Sequence, residues 1–379
     1  MIREVKNHEV IIFALDHYNP LGLVRSFGEE GIHSIVVAQK SRTDISRYSK
    51  YTKEYIAVET TQEGYEWLMS HYQETVFENR PFLLTCDDRT IEFLDNRYDE
   101  WKNRFIGFNG GNKGVITKYM DKYVILQAAK RYGLKVLDTI TVDKGEVPAN
   151  IEYPVITKSI SPVVGGWKSD VFICYTEAEL REAYEKIRAP KVIIQKYIEK
   201  KNEYCLDGFC AKNGEIMFTS IETTYNYLIK GYYSPYMTVK NFNKPEIKKP
   251  LEDLMREVGF EGIYSIEFLI DRDDQMYFSE VNFRNSTWSY ASTCAGMNLP
   301  ILWAEAMLSG EAPVNAVRDI PEGFMAMVEP IDYAKRVKTG QIKAGEWMKD
   351  FKEAKCGYYY SAEDPVPFYE CVKKWDYLG

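Results

Sequence analysis

Glu280, Asn282 and Arg284 occupy every second position of the run "QMYFSEVNFRNST", and the run before it, "IYSIEFLID", offers Glu267. The rest of both runs is rich in apolar residues, and two such runs joined at Asp273-Asp274 predict an antiparallel hairpin. With the turn there, Glu267 falls directly opposite Glu280. Like charges facing across a ladder are destabilising, so neutralising Glu280 should relieve a repulsion. Side chains alternate faces along a strand, which puts Asn282 beside Glu280 and continues the same face to Arg284. A solvated strand face fits poorly beside Tyr277, Phe278 and Val281. Two carboxylates and an amide oxygen suit a hard cation such as Mg²⁺, which takes few protein ligands and completes its shell with substrate phosphates. Arg284 is placed to neutralise a developing anion.

The rest of the chain must supply a frame for that face. Residues 9–108 alternate short apolar strands ("EVIIFAL", "SIVVA", "PFLLTC") with helices, the rhythm of a parallel α/β domain. Asn19-Pro20 reads as an N-cap followed by a helix-opening proline, and Gly31 as the helix stop. "GFNGGNKG" (Gly107–Gly114) reads as a linker, and 117–133 as a helix. Strand signals follow at "YPVITKS", "DVFICY" and "KVIIQKYI". A hairpin is expected to turn at Asn213-Gly214, with helices at "LEDLMREVG" and "NLPILWAEAMLSG". Residues 311–379 are mixed and read as a small appended unit.

Other classes are disfavoured. No apolar run approaches the ~20 residues of a membrane helix. Val10–Leu15 lies between Glu9 and Asp16 and reads as a strand, not a signal peptide. A formal net charge of −8 argues against a nucleic-acid binder. The seven cysteines form no CxxC pair, which suits reduced thiols in the cytoplasm. The four histidines all precede residue 72, away from the hairpin, and no Ser/His/Asp or Cys/His pattern occurs.

Several residues suit phosphate. Lys122 stands near a helix start, where a cation opposes the helix dipole unless an anion binds there too; a solvated lysine is the alternative. Lys158 ends an apolar strand and needs an acceptor. After it, Ser161, Gly165 and Gly166 lie in a small-residue stretch whose backbone N–H groups could approach phosphate, though a simple turn would look the same. The stretch is neither a dinucleotide fingerprint nor a P-loop. Gln195–Ile198 leaves a buried strand where a planar base could pair, and Glu203 is a candidate for ribose hydroxyls.

Taken in order, "MDK" (Met120–Lys122), "YPVITK" ending in Lys158, the glycine stretch, "QKYIEKKNE" (Gln195–Glu203) and "IEF…EVNFR" resemble the ATP-grasp superfamily over most of the chain. The resemblance implies a Rossmann-like parallel α/β pre-ATP-grasp domain (1–113), a two-lobed α+β ATP-grasp domain (114–310, lid lobe about 145–205) and a C-terminal extension (311–379). It implies ATP phosphates on Lys122 and Lys158, with the loop of Ser161, Gly165 and Gly166 above them. It places adenine on Gln195, Lys196, Tyr197 and Ile198, and ribose on Glu203. Mg²⁺, with Mn²⁺ as an alternative, would sit on Glu267, Glu280 and Asn282, with Arg284 on an acyl-phosphate. Gln195 departs from the usual Glu, although its carbonyl can still accept from the adenine amino group. The layout is similar to the carboxylate–amine ligase subgroup that includes bacterial D-aspartate ligases. It implies a cytoplasmic enzyme with small carboxylate and amine substrates, at "DHYNP" and "TCDDRT", and it permits a homodimer. A carboxylase of the carbamoyl-phosphate synthase or biotin carboxylase type, or an ATP-binding protein without turnover, are the alternatives. "TTYNYLIKGYYSPYMTVKNF" reads as a lid that shields the acceptor site through its tyrosines and Lys230, or as a tyrosine-rich surface loop.

Overall fold

In a computed structural model, residues 2–40, 44–160, 170–229 and 233–374 are described. Lys230, Tyr232, Ser161, Gly165 and Gly166 lie outside them. Among the described residues there are three sheets.

The first sheet is parallel: β1 (Val10–Leu15), β2 (Ser34–Gln39), β3 (Thr52–Val58), β4 (Phe82–Leu84) and β5 (Ile106–Gly107), in the order β3-β2-β1-β4-β5. β1, β2 and β4 are buried on both faces, which requires their continuous apolar runs. The edge strand β3 (TKEYIAV) is only partly buried and opens on polar Thr52, Lys53 and Glu54, so its apolar run is short. The helix expected from Asn19 begins one residue before it, at Tyr18–Gly28. His17 is its N-cap, with Nδ1 accepting from Asn19 N–H at 3.3 Å, and Pro20 fits within the first turn, where no intrahelical N–H is needed.

The second sheet is antiparallel, β6 (Thr139–Asp143), β7 (Val155–Lys158), β8 (Ile173–Cys174) and β9 (Lys191–Lys196), in the order β6-β9-β7-β8. With helix Glu177–Lys186 it encloses a core of its own, including Val142, Leu180, Tyr184 and Ile194.

The third sheet has seven strands: β10 (Lys200–Ala211), β11 (Ile216–Tyr225), β12 (Tyr236–Asn241), β13 (Gly262–Asp271), β14 (Met276–Asn282), β15 (Met325–Met327) and β16 (Cys356–Gly357). Their order is β14-β13-β10-β11-β12-β15-β16, so segments after residue 311 extend this sheet. The β10–β11 turn is wider than two residues, with positive φ at Lys212, Asn213 and Gly214. Gly214 is required there: a Cβ would stand 2.4 Å from the Met255 carbonyl. The helix expected over 117–133 is two helices, Val115–Tyr119 and Lys122–Arg131. Asp121 separates them by capping the second, accepting from Tyr123 N–H (2.8 Å) and Val124 N–H (3.1 Å).

The first and third sheets share one hydrophobic core. Trp303, fully buried in helix Leu299–Ser309, lies between the rings of Phe82 (5.6 Å) and Phe108 (5.0 Å). Arg25, also fully buried, reaches the C-terminal segment: Nε donates to Asp364 Oδ2 at 3.0 Å, and Nη atoms donate to the carbonyls of Tyr358, Tyr359 and Asp364. No described helix is long and apolar enough to cross a membrane.

Asp364→Ala would strand the buried guanidinium of Arg25 without its counter-charge. A loss of about 3–5 kcal/mol of stability is expected by urea denaturation, with Asp364→Asn milder. An unchanged midpoint for the alanine variant would show that the buried pair does not hold the C-terminal segment in place.

Candidate active site

β13 and β14 place Glu267 opposite Glu280 and Ser265 opposite Asn282. The expected pairing of the glutamates holds, but the route to it differs. Nearer the turn the register is offset by one residue (Phe268 opposite Phe278, Ile270 opposite Met276), and a bulge after Glu267 restores it. Phe278 therefore points into the core while Glu280, two residues on, points to the opposite face. Plain alternation would have placed both on one face; the extra residue at the bulge re-aims the rest of the strand.

The glutamates have different neighbours. Glu280 Oε2 accepts from Lys122 Nζ in an ion pair. Burial pushes the Glu280 carboxyl up, but Lys122, followed by Lys158 and Arg284, holds it below its ordinary value. Glu267 Oε1 accepts from Asn282 Nδ2 at 2.9 Å, and burial and then the charges of Glu280 and Glu203 push its carboxyl well up. The two side chains sit in a cavity of about 420 Å³ with Lys200, Glu203, Tyr225 and Arg284 on its walls. Among the described residues no group of three or more His, Cys, Asp or Glu side chains is placed to hold a metal. The hairpin thus offers two carboxylates and one amide, a set that fits Mg²⁺ sharing its shell with phosphates or water better than a fully protein-caged ion.

Lys122 corrects one expectation. No anion is needed to relieve its helix start, because the first N–H groups are already used. Asp121 takes those of Tyr123 and Val124, and Lys122 N–H donates to the Ile160 carbonyl at 2.9 Å. Its ammonium reaches Glu280 instead.

Lys158 finds the acceptor its strand required: Nζ donates to Gln195 Oε1 at 2.8 Å, and Gln195 Nε2 donates to Thr139 Oγ1 at 2.8 Å. The Gln195 carbonyl is thereby engaged away from any base. Burial and then the charge of Lys122 lower the Lys158 pKa to about 8. In the following segment the N–H groups of Lys196 and Tyr197 donate to the carbonyls of Asp138 (2.9 Å) and Pro154 (3.0 Å). These residues line a second, more apolar cavity of about 870 Å³ with Leu137, Ile156 and Leu269. Lys200 and Glu203 line both cavities. Glu203 accepts from Lys200 and from the Tyr225 hydroxyl.

Arg284 Nε donates to Asp88 Oδ1 at 2.8 Å, linking the hairpin to the first sheet. His17, expected away from this face, feels it electrostatically: burial and then the Arg284 charge lower its pKa to about 4. Lys200 and Asp207 carry no local sequence signal. "IEKKNE" does not say which lysine faces inward, and Asp207 is fully buried in β10. Asp207 accepts from the hydroxyls of Ser286 (2.6 Å) and Ser289 (2.9 Å) and so pins the loop that follows Arg284. Of the tyrosine-rich stretch, Tyr225 and Tyr233 line the central cavity, Tyr227 donates to Asp332 Oδ1 at 2.5 Å, and Tyr236 begins β12. Lys230, Tyr232 and the loop of Ser161, Gly165 and Gly166 are outside the described residues.

Comparison with known proteins is consistent with this geometry. The family model described as carbamoyl-phosphate synthase L chain, ATP binding domain, matches residues 121–310, half of the chain. An N5-carboxyaminoimidazole ribonucleotide synthase of Staphylococcus aureus is 25% identical over 203 residues, 52% of this chain and 53% of that protein. The chain thus spans about half the length of the curated relatives it matches first. The crystal structure of N5-carboxyaminoimidazole synthetase from Staphylococcus aureus superposes with a TM-score of 0.65 at 15% identity, over 88% of this chain and 86% of that one. The L-amino acid ligase from Bacillus licheniformis gives 0.61 at 12%, over 80% and 74%. At such identities the structures establish a shared fold.

Two stability predictions follow from the charges. Glu267→Gln should hold or raise stability, because it removes the charge that burial opposes. Glu280→Gln, expected from the facing charges alone to relieve a repulsion, should instead lower it, on the order of 1 kcal/mol, because the ion pair to Lys122 is lost and Lys122 is left unpaired beside Lys158. The reverse order of urea midpoints would contradict the pairing. For Asp207, burial outweighs the serine hydroxyls and raises the carboxyl pKa from 3.8 to about 6. The unfolded chain ionises first as pH rises, so this group's contribution is full below about pH 4. It is lost by about pH 6, about 3 kcal/mol in all. Asp207→Asn should flatten the stability curve across that window; a slope equal to wild type would remove Asp207 as its source.

Proposed function

Since the chain belongs to the family of the carbamoyl-phosphate synthase L chain ATP-binding domain and has the ATP-grasp fold, we propose that it is an ATP-dependent ligase joining a carboxylate to an amine, with the amine drawn from an amino acid. The observation that carries this reading is the facing pair Glu267–Glu280 with Asn282 beside it, in a polar cavity that shares Lys200 and Glu203 with a neighbouring, more apolar one. The apolar cavity suits a purine, and Gln195, Lys196, Tyr197 and Ile198 line it. Lys158 and Lys122 suit phosphates, and Glu203 suits ribose hydroxyls. Ser161, Gly165 and Gly166 are assigned to the phosphates by their small-residue stretch and by resemblance, and Lys230 to the acceptor side by its tyrosine-rich surroundings in the sequence. Glu267, Glu280 and Asn282 would hold Mg²⁺, which when bound supplies charge neutralisation between the phosphate oxygens.

The chain's own residues contribute position and charge. Lys122 gives up Glu280 for a phosphate, an exchange that leaves neither charge unpaired. Lys158, held by a neutral amide, keeps its charge for the nucleotide. The carboxylate substrate takes the terminal phosphoryl group to form an acyl-phosphate, with ADP leaving. The amine then attacks the acyl carbon, and phosphate departs as the amide forms. Arg284 is positioned for the anion that develops at that step. The same division of the chain at residues 113 and 310, and a cytoplasmic setting, belong to this proposal. The names of the curated relatives, one of them a carboxylase, favour a second reading, an ATP-dependent carboxylase.

The test is ADP release with Mg-ATP over a panel of amino acid pairs, with and without bicarbonate, and with hydroxylamine to trap an acyl-phosphate. Hydroxamate from an organic acid, absent in Glu280→Gln, is the expected outcome. Lys158→Met should weaken nucleotide binding about tenfold or more by calorimetry. ADP release that depends on bicarbonate alone would replace the ligase with the carboxylase, and nucleotide binding with no turnover under any condition would leave neither.

A further inference from the structure

Side chains alternate along a strand, so the seven-stranded sheet has a second face. Glu203 and Tyr225 border the central cavity, while their neighbours Tyr204 and Thr224, paired across the β10–β11 ladder, point to the opposite side. There they border a separate cavity of about 240 Å³, with Lys240 of β12, Lys244 just beyond it, and Ile270 and Met276 of the β13–β14 hairpin. This cavity shares no lining residue with the two of the candidate active site. Its floor is fixed: Tyr204 is buried, its hydroxyl donates to Glu222 Oε2 at 2.7 Å, and the Asn243 N–H donates to the same oxygen at 3.0 Å. Ile270 and Met276 are paired across their ladder and form an apolar wall. Its donors are unused. Among the described residues, the Thr224 and Lys240 side chains make no hydrogen bond or ion pair, and the Lys244 ammonium has only the Tyr204 ring, 5.4 Å from its centroid. Two acids border the same space, but Asp274 is paired with Lys201 at 2.6 Å. Lys240 and Lys244 against Glu222 leave one net positive charge. A lone surface lysine needs only water. Two lysines and a hydroxyl without acceptors, around a cavity with a buried floor and an apolar wall, complement an anion that has an apolar body.

We propose that this cavity is a second binding site, on the far side of the sheet from the candidate active site, and that its ligand is a small organic monocarboxylate. The ammonium groups of Lys240 and Lys244 and the Thr224 hydroxyl receive the carboxylate, and the hydrocarbon part lies against Ile270, Met276 and the Tyr204 ring. The single net charge sets the charge of the ligand, because a dianion would bring its second charge beside Glu222. An inorganic anion would leave the apolar wall uncovered and forgo the gain from burying it. The site goes beyond the ligase reading and does not depend on it, since no residue assigned to nucleotide, metal or either substrate borders it.

The full chain, carrying ¹³C at its methionine methyl groups, is titrated with 3-methylbutanoate and followed by NMR at the Met276 resonance, identified as the one lost in Met276→Leu. A saturable shift is expected. 3-Methylbutanamide, the same shape without the charge, should produce none, and inorganic phosphate should bind about tenfold more weakly or not at all. Replacing both lysines, Lys240→Met with Lys244→Met, should weaken 3-methylbutanoate about 10- to 100-fold, the range for losing a charged hydrogen bond. The other methionine resonances of that variant should stay in place, which reports an intact fold. No shift in wild type overturns the proposal, as does an equal shift with the amide or an equal affinity in the double variant. Phosphate binding as tight as 3-methylbutanoate also overturns it, since the apolar wall would then play no part.

Discussion

Two carboxylates held face to face across a strand pair set the terms for the rest of this molecule. Left alone, Glu267 and Glu280 would repel, and burial would add to the cost. The fold divides the burden between them. Glu280 keeps its charge because the helix that starts at Asp121 delivers the Lys122 ammonium to it. Glu267 has only the Asn282 amide, and burial with its neighbours' charges pushes its carboxyl up. One site thus has a carboxylate that is charged and compensated and another that resists charging. An incoming divalent cation would favour the charged form of both.

The same logic extends along the cavity. Lys158 lies on the Gln195 amide, Lys200 on Glu203 and Arg284 on Asp88. These cations have fixed acceptors, so under the proposed function binding would be an exchange of partners instead of the filling of an unpaired field. Such exchange preserves stability without ligand and makes occupancy depend on charge type.

Packing decides which parts can move relative to that site. The first sheet and the seven-stranded sheet share a core sealed by Trp303, and Arg25 with Asp364 binds the C-terminal segment into the same body. Asp88 and Arg284 are therefore held at fixed separation although 196 residues lie between them. The four-stranded sheet has an independent core, and Lys158 and Gln195 ride on it. Motion of that lobe would carry Lys158 and Gln195 and leave the hairpin and first sheet in place.

Local chemistry in the chain was enough for much of this. Apolar runs marked β1, β2 and β4, and alternating polar residues marked the hairpin. The ordered lysine, glycine and carboxylate segments carried the family resemblance. β3 stayed hidden because an edge strand needs only a short apolar run, and the break at Asp121 because a cap inside a helical pattern looks like one more polar residue. What the sequence determined by itself was an ordered set of candidate side chains: Lys122 and Lys158, then Glu267, Glu280 and Asn282. The tertiary structure alone decided their partners. The bulge after Glu267, the reach of Lys122 to Glu280, the inward turn of Lys200 and the contact of Asp88 with Arg284 all depend on register and on domain packing. Those are set by the burial of many distant residues at once, and no short window of sequence contains them.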